Sequence, residues 1–78
     1  MTTPDWTTIQ AEMADSILTL TLNRPDRLNA FDRVMHHELG EAIAYAATAP
    51  GIRVIVLTGA GRAFSAGGDM SQPPPDIA

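Results

Sequence analysis

Hydrophobic and polar positions follow first the period of a strand, then that of a helix, and then merge into one apolar run. From Thr7 to Met13, Ile9, Ala11 and Met13 fall on one side, and Thr8, Gln10 and Glu12 on the other. That alternation predicts a half-buried strand. Ala14-Asp15-Ser16 reads as a turn, and Ile17 to Leu22 as a second strand with Leu18, Leu20 and Leu22 on one face. Two strands joined by a three-residue link form a hairpin. Asn23-Arg24-Pro25-Asp26 stops the second strand, because Pro25 lacks a ladder donor and pushes Arg24 into an extended conformation. A loop then runs to about Phe31, and Asp32 is placed to cap a helix. Met35, Leu39, Ala42, Ile43 and Ala46 share one helical face. Arg33, His37, Glu38 and Glu41 fall elsewhere, so Glu38 and Glu41 read as surface charge. The helix should end near Ala49, since Pro50-Gly51 breaks it. Ile52 to Thr58 is nearly continuous in apolar residues, the pattern of a parallel strand covered on both faces. Strand, helix and strand make one βαβ unit, expected to cross over right-handed.

This α/β arrangement, ββαβ in order, does not close on itself. One helix covers one face of the sheet, so a further layer must come from other sequence or another chain. The chain has 78 residues, a length at which only about 60–65% of the unfolded surface is buried. It has no cysteine to add a staple. The tail from Ser71 to Ala78 contains Pro73-Pro74-Pro75 and reads as extended chain. The expected division is therefore residues 1–70 as the N-terminal part of a larger domain and 71–78 as a proline-rich extended tail.

Composition narrows the function. The chain is 45% hydrophobic and 18% charged, which is globular rather than disordered. A net charge of −4 argues against nucleic acid as a partner. The first residues carry no basic, apolar signal pattern, and no run approaches the ~20 apolar residues of a membrane span. A soluble, cytoplasmic protein is the expectation, with no membrane partner.

The chemistry concentrates in Phe64-Ser65-Ala66-Gly67-Gly68-Asp69-Met70. It follows the apolar strand and the Gly-rich link Gly59-Ala60-Gly61-Arg62-Ala63. Adjacent glycines let backbone approach a ligand closely. Free N–H groups at such a turn favour negative charge, as a developing oxyanion requires.

Phe64 to Met70 resembles the oxyanion-hole segment of the crotonase superfamily, the enoyl-CoA hydratase/isomerase family. Leu22-Asn23-Arg24-Pro25-Asp26-Arg27-Leu28-Asn29-Ala30 resembles that family's upstream segment, in the same order and at about the same distance. The resemblance runs from about Thr8 to Met70 and spans only the N-terminal part of a family domain. It implies the start of a crotonase-like spiral fold, incomplete here. It implies acyl-CoA binding and thioester enolate stabilisation within an enoyl-CoA hydratase/isomerase-like enzyme. The thioester oxygen would accept the backbone N–H of Gly68 and a second N–H. Ala66, Gly67, Asp69 and Met70 would line the CoA and acyl path, with the Ala66 carbonyl toward the adenine end. Asp26, Arg27 and Leu28 would wrap the CoA from its other side. The family often has a basic residue where Asp26 stands, so Arg27 is the better partner for a CoA phosphate. Asn29 is expected to fix its loop by side-chain to backbone bonds. The resemblance implies no cofactor beyond the CoA of the substrate, and a homo-trimer or hexamer for the whole protein. The second donor and the catalytic carboxylates are expected beyond Ala78, so the 78 residues alone should be inactive. The competing reading is a non-enzymatic piece: a truncated product, or an interaction module whose open sheet edge pairs with another chain.

Other chemistry is weaker. Ala63-Phe64-Ser65-Ala66-Gly67 lacks the first glycine of a nucleophile elbow, and no histidine follows it. Gly59-Ala60-Gly61-Arg62-Ala63-Phe64 has Phe where a dinucleotide fingerprint has its third glycine. His36 and His37 are adjacent, where a metal pair on a helix needs a spacing of three or four. Trp6 and Tyr45 read as packing aromatics.

Overall fold

The computed structural model describes residues 6–68. In chain order it contains β1 (Ile9–Ala14), β2 (Ile17–Leu22), a 3-10 turn (Pro25–Arg27), α1 (Arg33–Thr48) and β3 (Val54–Gly59). The three strands form one sheet in the order β1-β2-β3, with β1 antiparallel and β3 parallel to β2. The expected ββαβ order is therefore present. The proline-rich tail lies outside the described residues.

The hairpin is tighter than the sequence suggests. Ala14 pairs with Ile17, so the link is Asp15-Ser16 alone. Both residues have positive φ, 51° and 67°, as a type I′ turn demands. The strand also begins two residues later than expected. Thr7 and Thr8 turn their N–H groups to the Glu38 carboxylate instead of joining the ladder.

The core lies between one sheet face and α1. Leu18, Leu20 and Leu22 meet Met35, Ala42 and Ala46, with Ile9 beside them. Burying a leucine contributes about 1.5–3 kcal/mol, so this cluster is the main stabilising unit. Asp32 caps the helix by accepting the Met35 N–H at 2.8 Å. At the other end Ala49 is extended, as a residue before proline tends to be, and Gly51 follows with φ of 100°. The buried line of α1 is Met35, Glu38, Ala42 and Ala46. Two expectations are corrected here. Ile43 is 46% exposed rather than on the core face, and Glu38 is only 7% exposed rather than surface charge. Glu38 sits one turn from Met35 and Ala42, over the chain entering β1, where four donors from Thr7 and Thr8 meet it.

β3 differs from the other strands. Val54, Ile55, Val56 and Leu57 are each 40–51% exposed, so both its faces stand open. The cover expected on both sides is not supplied by residues 6–68.

Candidate functional site

The site is built where two loops leave the C-terminal ends of β2 and β3. The parallel ladder continues one step past β3, with Ala60 N–H donating to Leu22 O at 2.8 Å. The chain then doubles back on itself. A Cβ on Gly59 would lie 2.4 Å from the Phe64 carbonyl oxygen and 2.5 Å from that of Ala63, so only glycine permits the return. Asn29, fully buried, ties this loop to the one after β2. Its Nδ2 donates to Ala60 O and to Ala63 O, both at 2.8 Å, and its Oδ1 accepts the Arg24 N–H at 2.7 Å. The loop-fixing role expected of Asn29 is thus seen, and it fixes both loops.

Beyond that tie the two loops run side by side. Ala66 N–H donates to Leu28 O at 2.9 Å, and Phe31 N–H to Gly67 O at 2.7 Å. Phe31 and Gly68 form a parallel bridge. Ser65 Oγ–H donates to Asn29 O at 2.8 Å, and Gly67 N–H donates to Ser65 Oγ at 3.0 Å. Leu28 and Asn29 both take left-handed backbone, φ 52° and 55°. Asparagine tolerates this better than leucine. Leu28 is held there by the 3-10 turn before it, through Leu28 N–H to Pro25 O and Asn29 N–H to Arg24 O. Strain of this kind clusters at ligand sites.

The three consecutive N–H groups of Ala66, Gly67 and Gly68 differ in their use. Ala66 gives its N–H to Leu28 and Gly67 gives its N–H to Ser65. Gly68, itself exposed, has no hydrogen-bond partner for its N–H among the described residues. A Cβ at Gly68 would meet nothing within 4 Å among the described residues, which leave the backbone there open to an approaching group.

The residues expected to bind substrate divide as follows. Asp26 and Arg27 lie on the exposed 3-10 turn, and Leu28 follows at 36% exposure. Leu28 is brought against Ala66, and Gly67 and Gly68 against Phe31. Asp69 and Met70 lie outside the described residues. Three contributions were not anticipated. Arg24 donates from its guanidinium to Ala30 O and stands 3.7 Å from the Asp32 carboxylate, joining the loop to the helix cap. Ser65 bridges the two loops. Glu38 holds the chain before β1. Burial pushes the Glu38 carboxyl up, but hydrogen bonds from Thr8 and Thr7 outweigh it and hold it below the ordinary value. No helix or strand period marks these roles: the partners of Glu38 lie some 30 residues away, those of Ser65 are backbone groups, and Arg24 meets Ala30 and Asp32 across an irregular loop.

The weaker readings are resolved by contacts. The Ser65 hydroxyl donates to a backbone carbonyl rather than to a base. No helix opens among residues 61–68. His36 and His37 are exposed, and His37 stands 3.6 Å from Glu41, which is exposed as expected. No group of three potential metal ligands occurs among the described residues. Trp6 packs against the core and donates from Nε1 to Glu41 at 3.4 Å. No described helix is long and apolar enough to cross a membrane.

Known proteins share this sequence and backbone. The profile of the Enoyl-CoA hydratase/isomerase family matches residues 12–73. The 1,2-epoxyphenylacetyl-CoA isomerase of Escherichia coli (strain K12) is 41% identical, over 88% of this chain and 29% of that protein. The hydroxycinnamoyl-CoA hydratase-lyase of Pseudomonas fluorescens is 36% identical, over 86% of this chain and 24% of that protein. The backbone superposes on the crystal structure of enoyl-CoA hydratase EchA8_6 from Mycobacterium marinum with a TM-score of 0.82. That match has 43% identity and covers 83% of this chain and 31% of that one. The chain therefore spans less than a third of the length of each of these proteins. Its two paired loops, its ββαβ order and its sequence place it in the enoyl-CoA hydratase/isomerase family, within the crotonase superfamily.

Proposed function

We propose that this chain binds an acyl-CoA thioester and supplies one of two donors that stabilise its enolate, as part of an enoyl-CoA hydratase/isomerase-like enzyme of acyl-CoA metabolism. The observation that carries the reading is the Gly68 N–H, unpartnered among the described residues, in a turn whose two preceding N–H groups are committed. A thioester enolate is high in energy, and one well-placed donor contributes about 3–4 kcal/mol in comparable sites. The exposed, open backbone at Gly68 lets the thioester lie against it. Ala66, Gly67, Asp69 and Met70 would line the acyl and CoA path. Asp26, Arg27 and Leu28 would close it from the other loop, with Arg27 toward a CoA phosphate. CoA enters as part of the substrate, and no separate cofactor is needed. A second N–H and the carboxylates that move the proton or activate water would come from sequence outside these 78 residues. Such a protein would work in the cytoplasm, as a homo-trimer or hexamer.

The test compares the protein at its native length with the isolated 78 residues on crotonyl-CoA. Hydration or isomerisation of the thioester by the former and none by the latter is the expected result. Turnover by the isolated chain would overturn the assignment of the remaining groups to other sequence. Failure of the native-length protein to bind any acyl-CoA would overturn the whole reading. A second reading, an interaction module, draws on the open faces of β3. It predicts a stable complex of the 78 residues with another chain and no affinity for CoA thioesters.

A further inference from the structure

We infer that Ser65 is a positioning residue that aims the Gly68 N–H at the thioester oxygen; this rests on the reading of Gly68 just given. The direction of that N–H is set by the peptide plane between Gly67 and Gly68. A peptide unit is planar and trans, so its C=O and N–H point opposite ways. The Gly67 C=O is fixed by the Phe31 N–H at 2.7 Å. The plane on the other side of Gly67 carries the Gly67 N–H, and Ser65 Oγ fixes it at 3.0 Å. Only two soft dihedrals lie between those planes, and they belong to Gly67, which has φ of 96°. A glycine in that region has many alternatives open to it. Pinning both planes removes them and leaves Gly68 with one orientation.

Ser65 can do this because it is itself anchored. Its Oγ–H donates to Asn29 O at 2.8 Å, so its lone pairs are left for Gly67. Asn29 is fully buried and held by three hydrogen bonds of its side chain. The aim of the donor is thus referred back, through one hydroxyl, to the most fixed residue of the site. Ser65 also takes up the Gly67 N–H, which commits that group within the loop. The hydroxyl acts by hydrogen bonding only, and no bond to substrate is made or broken at it.

The test uses the protein at its native length and the probe 4-(dimethylamino)cinnamoyl-CoA. The absorption of this push–pull thioester moves to the red as its carbonyl oxygen accepts hydrogen bonds. At saturation the wild type should give a red shift, and Ser65→Ala a clearly smaller one. The Kd should stay within about threefold, because most contacts to the CoA lie elsewhere and bind ground and transition states alike. On crotonyl-CoA, kcat should fall roughly tenfold with little change in KM, less than the 10²–10³ lost when a donor is removed outright. Ser65→Cys, nearly isosteric but a weak donor and acceptor, should fall between the two. It decides the matter if Ser65→Ala does not fold. A change in folding alone would not move the absorption of bound probe. Wild-type shifts in both variants would overturn the role of Ser65 and leave that of Gly68 standing. No red shift in the wild type would overturn the Gly68 reading, and the role of Ser65 with it.

Discussion

Asn29 and Glu38 are both buried polar residues, and each meets its match in backbone groups. Asn29 satisfies two carbonyls and one N–H. Removing it leaves those part-buried groups without partners, at about 1 kcal/mol each. Asn29→Ala should therefore destabilise the native-length protein by about 3 kcal/mol in urea unfolding. Asn29→Asp should be at least as damaging, since it sets a carboxylate against the Ala60 and Ala63 carbonyls. An Asp variant as stable as wild type would mean that Nδ2 does not make these two bonds. Glu38 is legible in the sequence only as a polar position near an apolar stripe. Its partners, Thr7 and Thr8, lie 30 and more residues away, and no periodicity reaches that far. Its folded carboxyl is held below the ordinary value, so the folded state binds the proton less readily than the unfolded chain. The stability it contributes is whole above the unfolded pKa and is lost as pH falls through the lower, folded one. Below about pH 4.3, wild type should lose stability more steeply than Glu38→Gln. Parallel acid limbs in the two proteins would show that Glu38 does not carry this linkage.

At the scale of elements, most of the fold was legible because each element has its own local signal. Leu18, Leu20 and Leu22 alternate into the core as read, Asp32 caps α1, and Pro50-Gly51 follows its end. What was less legible depends on turn geometry. Asp15-Ser16 adopts a two-residue turn of the kind that favours Asn-Gly or Asp-Gly, yet the pair contains no glycine. The sequence thus hid the register by one residue. It also offers a gain: Ser16→Gly relieves φ of 67° and should stabilise the hairpin by about 0.5–1 kcal/mol. Loss of stability on that change would contradict the turn type. The return loop is the opposite case. Gly59→Ala drives a Cβ into two backbone carbonyls that cannot rotate away, so it should shift the loop that carries Ser65 to Gly68. The two loops themselves were each readable as motifs. Their pairing, Leu28 with Ala66 and Phe31 with Gly67, was not, because parallel pairing across some 36 residues leaves no trace in either stretch.

The whole molecule is shaped by an imbalance between its central strand and one edge of the sheet. β2 is covered by α1 and flanked on both sides, whereas β3 presents four consecutive apolar residues to the outside. Such a strand is a template for association unless it is covered. The family relatives are more than three times as long as the stretch they share with this chain, which leaves ample sequence for that cover. The two situations make opposite demands on one residue. Ile55 stands beside Leu18, at 42% exposure. If further sequence covers β3 at native length, Ile55→Asp buries an unpaired carboxylate there and should cost about 3 kcal/mol or more, read by urea unfolding. In the isolated 78 residues the same change should reduce self-association, read by sedimentation velocity, because it charges an open apolar edge. A native-length protein indifferent to Ile55→Asp would mean that β3 stays open there, and the sheet face would then be the surface on which another chain docks.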